Sequence, residues 1–244
     1  MKKNAHTPET TSREKLILSA ERLFSARGFD GVSVRDIANN AKVNSALLGY
    51  YFGNKEGLLA EVYTRHCEPL RRERGRLLAE YGAEAKSLTL EAVLDAFIRP
   101  SLEANQGTEQ GRSFSRLRAI LSAENSMLLE QLVAENFDET SRIFVKALCE
   151  CLPHLKREDV FWRFHFLLGG IYYTALGPHR IHILSNGKCD PSDPDATREE
   201  LIRFAAAGFR APAKQKRRGN PKRTTSQKPQ TVAHKKRNAT ELDT

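Results

Sequence analysis

Within the stretch Ser33 to Leu59, SVRDIANNAKVNSALLGYYFGNKEGLL, several closely spaced groups can make directed polar contacts. Among them are the amide of Asn44, the hydroxyls of Ser45 and Tyr50, and the charges of Arg35 and Lys55. None is a nucleophile set beside a base. Their chemistry is hydrogen bonding of the kind that reads base-pair edges or holds phosphate oxygens. On a helix from Ser45 to about Phe52, helical spacing puts Ser45, Ala46, Gly49 and Tyr50 on one side and Leu47, Leu48, Tyr51 and Phe52 on the other. The first side is narrow, and small side chains let a helix sit deep in a groove about 12 Å wide. Gly49 costs roughly 1 kcal/mol inside a helix relative to alanine, which either close approach of DNA or packing on a neighbour would offset.

The surrounding elements are marked by their caps. Ser33 and Asp36 make an S-x-x-D capping box, after which Val34, Ile37, Ala38 and Ala41 recur at helical spacing and predict a helix over 34–41. Asn44 is an N-cap candidate for the next helix, with Val43 and Leu48 placed as a hydrophobic staple. Upstream, Thr11 and Glu14 make a second box, and Leu16, Ile17, Ala20, Leu23, Phe24 and the closing Gly28 outline a support helix over 12–27. Downstream, Asn54 caps a fourth helix running from Lys55 to about Glu80. Its exposed N-terminal amides and Lys55 would suit a phosphate, so Lys55 is read as a positioning contact. Two short helices joined by a tight turn, with a support helix before them, are one of the few small helical units that can offer a helix to the major groove.

This set of motifs, the helix over 12–27, S-V-R-D-I-A, A-x-V-N and Y-x-F-G-N-K-E-G-L-L, resembles the DNA-binding domain of TetR/AcrR-type transcriptional regulators over roughly residues 10 to 60. The resemblance implies that the helix containing Asn44 to Phe52 enters the major groove, that Arg35 contacts a base or phosphate, and that Tyr51 and Lys55 hold phosphates. The chain departs from the common pattern at Leu47, where many members have threonine, and at Gly49, where many have tyrosine.

The 244 residues and 40% hydrophobic content leave enough chain beyond this unit for a second core. The expected division is a flexible arm over 1–10, a helix-turn-helix domain over 11–60, an effector-binding and dimerisation domain over 61–210, and a basic tail over 211–244. The net charge of +9 is concentrated in that tail. Ten Lys and Arg face only Glu241 and Asp243 there, leaving the rest of the chain almost neutral. Rich in Pro, Ser, Thr and Gln, the tail cannot offset its ordering entropy and is expected to be disordered. It reads either as a nonspecific DNA-gripping arm acting through counterion release or as a solubilising segment. The four cysteines show no framework spacing, and no signal segment or long uncharged span appears, which points to a cytoplasmic location with reduced thiols.

Between domain and tail every periodic segment is helical, so the fold class is all-α. Helices are expected near 89–104, 112–122, 127–151, 158–176 and 197–209, with Pro100 kinking or ending the first, Pro153 closing the third and Gly177-Pro178 stopping the fourth. The short Ile181 to Leu184 run alone reads as a strand. The segment EDVFWRFHFLLGGIYYTAL is apolar nearly all round, although Arg163 and His165 make membrane insertion costly, so protein must bury it. One flank could pack on its own domain and another on a second subunit. Leu201, Phe204, Ala205 and Phe209 offer a matching stripe. The family resemblance implies a homodimer through these last two helices, and a dimer implies a palindromic, inverted-repeat operator on double-stranded DNA.

An effector cavity between helices could be lined by Phe97, Phe114, Leu117, Leu121, Phe137, Phe164, His165, Leu168 and Tyr172, with Ile98, Leu102, Phe144 and Phe161 nearby and Arg116, Arg118, His165 or Tyr172 orienting a head group. The same residues could fill an ordinary core. R-P-S-L, the G-R-x-F-x-R-L run and F-W-R-F-H-F-L-L-G are similar to the PsrA-like subgroup, which implies a small hydrophobic effector, an acyl compound being one candidate. No G-x-S-x-G, H-E-x-x-H, G-x-x-x-x-G-K-[ST] or G-x-G-x-x-G pattern is present, so no catalysis is expected and no cofactor is implied. Cys149 and Cys151 point apart on a helix and Pro153 interrupts the turn before His154, so these read as packing groups; His179 and His182 read as loop residues, and no metal is expected either. The reading is a ligand-responsive dimeric regulator, most simply a repressor; the alternative is a protein coating DNA nonspecifically through its tail.

Overall fold

The computed structural model describes residues 11–84, 87–106, 109–123, 127–176 and 178–213. Among them are ten helices and no strand. The expected arm over 1–10 and the tail from 214 onward lie outside the described residues.

The first four helices form where their caps place them. The Thr11 hydroxyl accepts the Glu14 amide at 3.2 Å and starts α1 (Ser12–Arg27), while the Glu14 carboxylate pairs with Arg65 at 2.6 Å, so only half of that capping box is made. Gly28 closes α1 at φ 75°, a conformation without steric cost only for glycine, and its amide donates to the Phe24 carbonyl. Ahead of α2 (Val34–Ala41) the box is reciprocal. The Asp36 amide donates to Ser33 Oγ at 3.1 Å and the Ser33 amide to Asp36 Oδ2 at 2.9 Å. Lys42, left-handed at φ 56°, ends α2 and turns the chain toward α3 (Ala46–Phe52). Asn54 Oδ1 accepts the Gly57 amide at 2.7 Å and caps α4 (Lys55–Glu84), a 30-residue helix with Pro69 inside it. Pro69 brings no N–H, so the Arg65 carbonyl loses its helical partner.

Six further helices follow: α5 (Leu90–Gln106), α6 (Glu109–Ala123), α7 (Met127–Cys151), α8 (Arg157–Leu176), α9 (Pro178–Leu184) and α10 (Pro194–Arg210). Two expectations are corrected. Pro100 does not end α5, which continues past it to Gln106, because buried Ala96, Phe97, Ile98, Ser101 and Leu102 on either side of it hold that turn by packing. Ile181 to Leu184 is the second half of α9 and not a strand. Pro178 stops α8 and also stands at the first position of α9, where its fixed φ already suits a helix.

Apolar side chains gather in two clusters. The first joins Leu16, Ile17, Phe24, Ile37, Leu48, Leu58 and Val62 from α1 to α4 with Phe114, Leu117 and Leu121 of α6 and Leu132 of α7. The first three helices therefore do not close their core alone; α6 supplies its far wall. The second cluster gathers Leu77, Leu94, Phe97, Phe144, Leu148, Val160, Phe164 and Phe209. Helix α8 buries one flank, with Val160 0%, Phe164 5% and Leu167 5% exposed, and presents the other, with Trp162 64%, Phe166 66% and Tyr173 63% exposed. The stripe expected on α10 divides as well. Ala205 and Phe209 turn inward, Leu201 is half-buried, and Phe204, 77% exposed, stands outside. No described helix is long and apolar enough to cross a membrane.

Candidate nucleic-acid interface and effector cavity

Helix α3 is anchored by one side chain. Leu48 is 1% exposed between α1 and α4, with Leu47 and Phe52 half-buried beside it. The opposite side is open: Ser45, Ala46 and Gly49 are exposed and Tyr50 is 80% exposed. A Cβ placed on Gly49 would meet nothing within 4 Å, so packing on a neighbour does not account for this glycine. Tyr51 departs from the expected inner side. It is 39% exposed, because the helix ends one turn beyond Leu48 and the ring packs sideways, edge-on to Tyr50 at 5.1 Å. It stands at the rim of the open face.

The charged and amide groups divide. Arg35 is exposed on α2 with no ion pair among the described residues. Asn44 is exposed, and its Oδ1 accepts the Ala46 amide at 2.9 Å, which makes it the side-chain cap of α3 although the helix begins at Ala46. Lys55 is placed otherwise than expected. Its ammonium donates to the Phe29 carbonyl at 3.0 Å and the Val32 carbonyl at 3.1 Å and lies 4.0 Å from the centre of the Phe29 ring. Turned inward, Lys55 ties the start of α4 to the turn between α1 and α2. The Asp36 carboxyl is held below its usual range by the Ser33 amide, then by the Ser33 hydroxyl and Arg27, so the cap stays ionised at neutral pH.

A cavity of about 730 Å³ lies between α4, α5, α6, α7 and α8. Phe97, Phe114, Phe137, Phe164, His165, Leu168 and Tyr172 line it as expected, with Phe161 and Arg118. Leu117 and Leu121 do not, and instead pack in the first core at 0% and 1% exposure. The stripe they share with Phe114 runs about 10 Å along α6, so only its first member reaches the cavity. Ile98, Leu102 and Phe144 are filled core, and Arg116 is exposed.

The lining also includes residues that the sequence reading omits, among them Arg74 and His66. Arg74, 5% exposed, donates from Nε to the Phe97 carbonyl at 3.1 Å and from Nη2 to Ser101 Oγ at 2.7 Å, with its guanidinium 3.7 Å from the Phe97 ring centre. Burial, followed by the like charge of Arg118, presses its pKa down to about 9. Its signal in the sequence is phase, for Tyr63, Cys67, Leu70, Arg74 and Leu77 share one side of α4. His66 stacks flat on Phe114 at 4.3 Å and 10°, with Nε2 3.1 Å from Glu21 Oε1 on α1. The Cys67 thiol beside them is pushed up to about 12 by burial and is correspondingly unreactive.

Comparison with known proteins meets this geometry from both ends of the chain. Residues 16–62 match the model of the bacterial regulatory proteins of the tetR family, and residues 95–208 that of the tetracyclin repressor-like C-terminal domain. Over 60 residues, 25% of this chain, it is 42% identical to a probable HTH-type transcriptional regulator, YttP, of Bacillus subtilis (strain 168). That match spans 29% of the relative's own length. The fold is similar to the fatty acid degradation regulator FadR from Bacillus halodurans, at 14% identity, a TM-score of 0.59, and coverage of 84% of this chain and 99% of that one. It is similar also to FadR from Bacillus subtilis in complex with stearoyl-CoA, at 18% identity, a TM-score of 0.58, and coverage of 80% and 97%.

Proposed function

Because the chain belongs to the TetR family of transcriptional regulators, we propose that it binds an inverted-repeat operator as a homodimer and leaves it when a small hydrophobic effector occupies the cavity. Members of this family are non-enzymatic DNA-binding proteins, generally repressors that respond to ligands. The observation that carries the reading is the open, small-residue face of α3 formed by Ser45, Ala46, Gly49 and Tyr50. Deep insertion into the major groove needs such a face. Arg35 flanks it as a contact to a base or phosphate, Tyr51 as a phosphate contact, and Asn44 holds the helix start. The domain over 11–60 is the reader and that over 61–210 the sensor and dimeriser.

Dimerisation is supported by Trp162, Phe166, Tyr173 and Phe204, which are too large and too apolar to stand on the outside of α8 and α10 without a partner. A two-fold pair sets two reading helices about one helical turn apart along the duplex. An acyl effector is supported by the apolar walls of the cavity and by the likeness of the fold to a regulator solved with stearoyl-CoA. The test is selection of binding sites from random duplex DNA, followed by competition with scrambled duplex. An inverted-repeat consensus that outcompetes scrambled DNA is the expected result. Equal affinity for both, lost on removal of residues 214–244, would instead establish a tail-driven DNA-coating protein.

A further inference from the structure

We propose that the cavity selects an amphipathic organic anion, whose acid group lies against Arg74 and whose apolar body lies along Phe97, Phe164 and Ile171; this rests on the reading of the cavity as the effector site. Arg74 is 95% removed from solvent among aromatic rings, and no carboxylate of the described residues pairs with it. Two of its nitrogens are engaged by the Phe97 carbonyl and Ser101, both neutral acceptors, and Nη1 has no acceptor among the described residues. A buried guanidinium held only by neutral groups is costly, and an anion delivered from outside removes that cost through charge-assisted, forked hydrogen bonds.

The remaining charges in the cavity favour the same sign of ligand. Arg118 lies 5.7 Å from the Phe137 ring and 5.2 Å from that of Tyr172, and Arg74 lies 6.0 Å from the Phe137 ring, so both guanidinium groups border one aromatic ring. The carboxylate of Asp138 is already paired with Arg142 at 3.0 Å. His66 and His165 complete the ionisable lining together with these groups. A cationic ligand would meet the buried charge of Arg74, and a neutral one would leave Arg74 as it is. A bare inorganic anion would not fill about 730 Å³ walled by phenylalanine, leucine and isoleucine. Charge and volume together specify an acid with an apolar body.

Isothermal titration of the full chain with decanoate, 1-decanol and decyltrimethylammonium tests this directly, without reference to DNA. Decanoate is expected to bind at least tenfold tighter than decanol, with the cation weakest. Arg74→Met should erase the preference for decanoate, and Arg74→Lys should retain most of it. Thermal melts of both variants show whether they fold, and if Arg74→Met does not, the Arg74→Lys result and the wild-type ranking still decide. Decanol binding as tightly as decanoate would overturn the anion assignment while leaving the cavity an effector site. No binding of any of the three would overturn both. Selection of an operator in the absence of any ligand tests the reading helix separately.

Discussion

His66 of α4 and Glu21 of α1 face each other with Nε2 and Oε1 3.1 Å apart, within ion-pair distance although neither atom completes a hydrogen bond. Glu21 is 4% exposed, and His66 lies on the Phe114 ring that also lines the cavity. Removing His66 alone leaves the buried Glu21 carboxyl with no polar group facing it and should cost about 1 to 3 kcal/mol of stability. Changing both, His66→Ala with Glu21→Gln, should cost less than the two single losses added. Urea unfolding of the four proteins measures this coupling, and strict additivity would show that the two side chains do not interact.

Gly49→Ala should separate stability from binding. The added methyl meets open space and replaces a poor helix former, so unfolding should become harder by up to about 1 kcal/mol. The same methyl intrudes on the face offered to the groove, so affinity for the selected operator should fall. A variant that is more stable and binds equally well would remove Gly49 from the interface.

Gly57→Ala should do the opposite in the folded protein. Its Cβ would lie 2.1 Å from the Phe52 carbonyl oxygen, a backbone atom that cannot move aside without shifting the junction of α3 and α4. A loss of roughly 1 to 3 kcal/mol is expected from such overpacking. A wild-type melting temperature would contradict the tight approach of these two helices.

Arg35 and Lys55 should part company in salt titrations. Arg35→Gln removes an exposed cation from the DNA side and should reduce the slope of log affinity against log salt by about 1. Lys55→Gln removes a cation already held by the Phe29 and Val32 carbonyls, so it should lower the melting temperature and leave that slope nearly unchanged. A flattened slope for Lys55→Gln would restore it as a phosphate contact.

Acid should reveal the Asp36 cap. Its carboxyl is held below the usual range in the folded chain, so its contribution is fully present above the ordinary carboxylate pKa and is lost as pH falls through the depressed folded value. Asp36→Asn should therefore be less stable than wild type at neutral pH, with the gap closing in acid. A gap independent of pH down to the acid limit would show that charge plays no part in the cap.

The caps explain why the DNA-binding end was legible from sequence. Thr11, Ser33, Asn44 and Asn54 each act on residues two or three positions away, so their effect is written locally. The inward turn of Lys55 is not legible in the sequence, because its partners, Phe29 and Val32, are more than twenty residues distant and a lysine in a helix's first turn carries no sign of which way it turns. Leu117 and Leu121 failed as cavity residues for a related reason. Periodicity gives the side of α6 they occupy but not which neighbour lies opposite at each turn. Pro100 shows packing overriding a local rule. Arg74 was readable in principle as the one charge in phase with Tyr63, Cys67, Leu70 and Leu77, a misfit that points to function.

Pro69 interrupts the hydrogen-bond ladder of α4 between Cys67, which packs with the first core, and Leu70, which faces the cavity. The long shaft is thus softest at the boundary between its two jobs. Bending there costs least, so if the cavity is the effector site as proposed, strain against Leu70 and Arg74 would reach the N-terminal half as a change in angle rather than as a push along the axis.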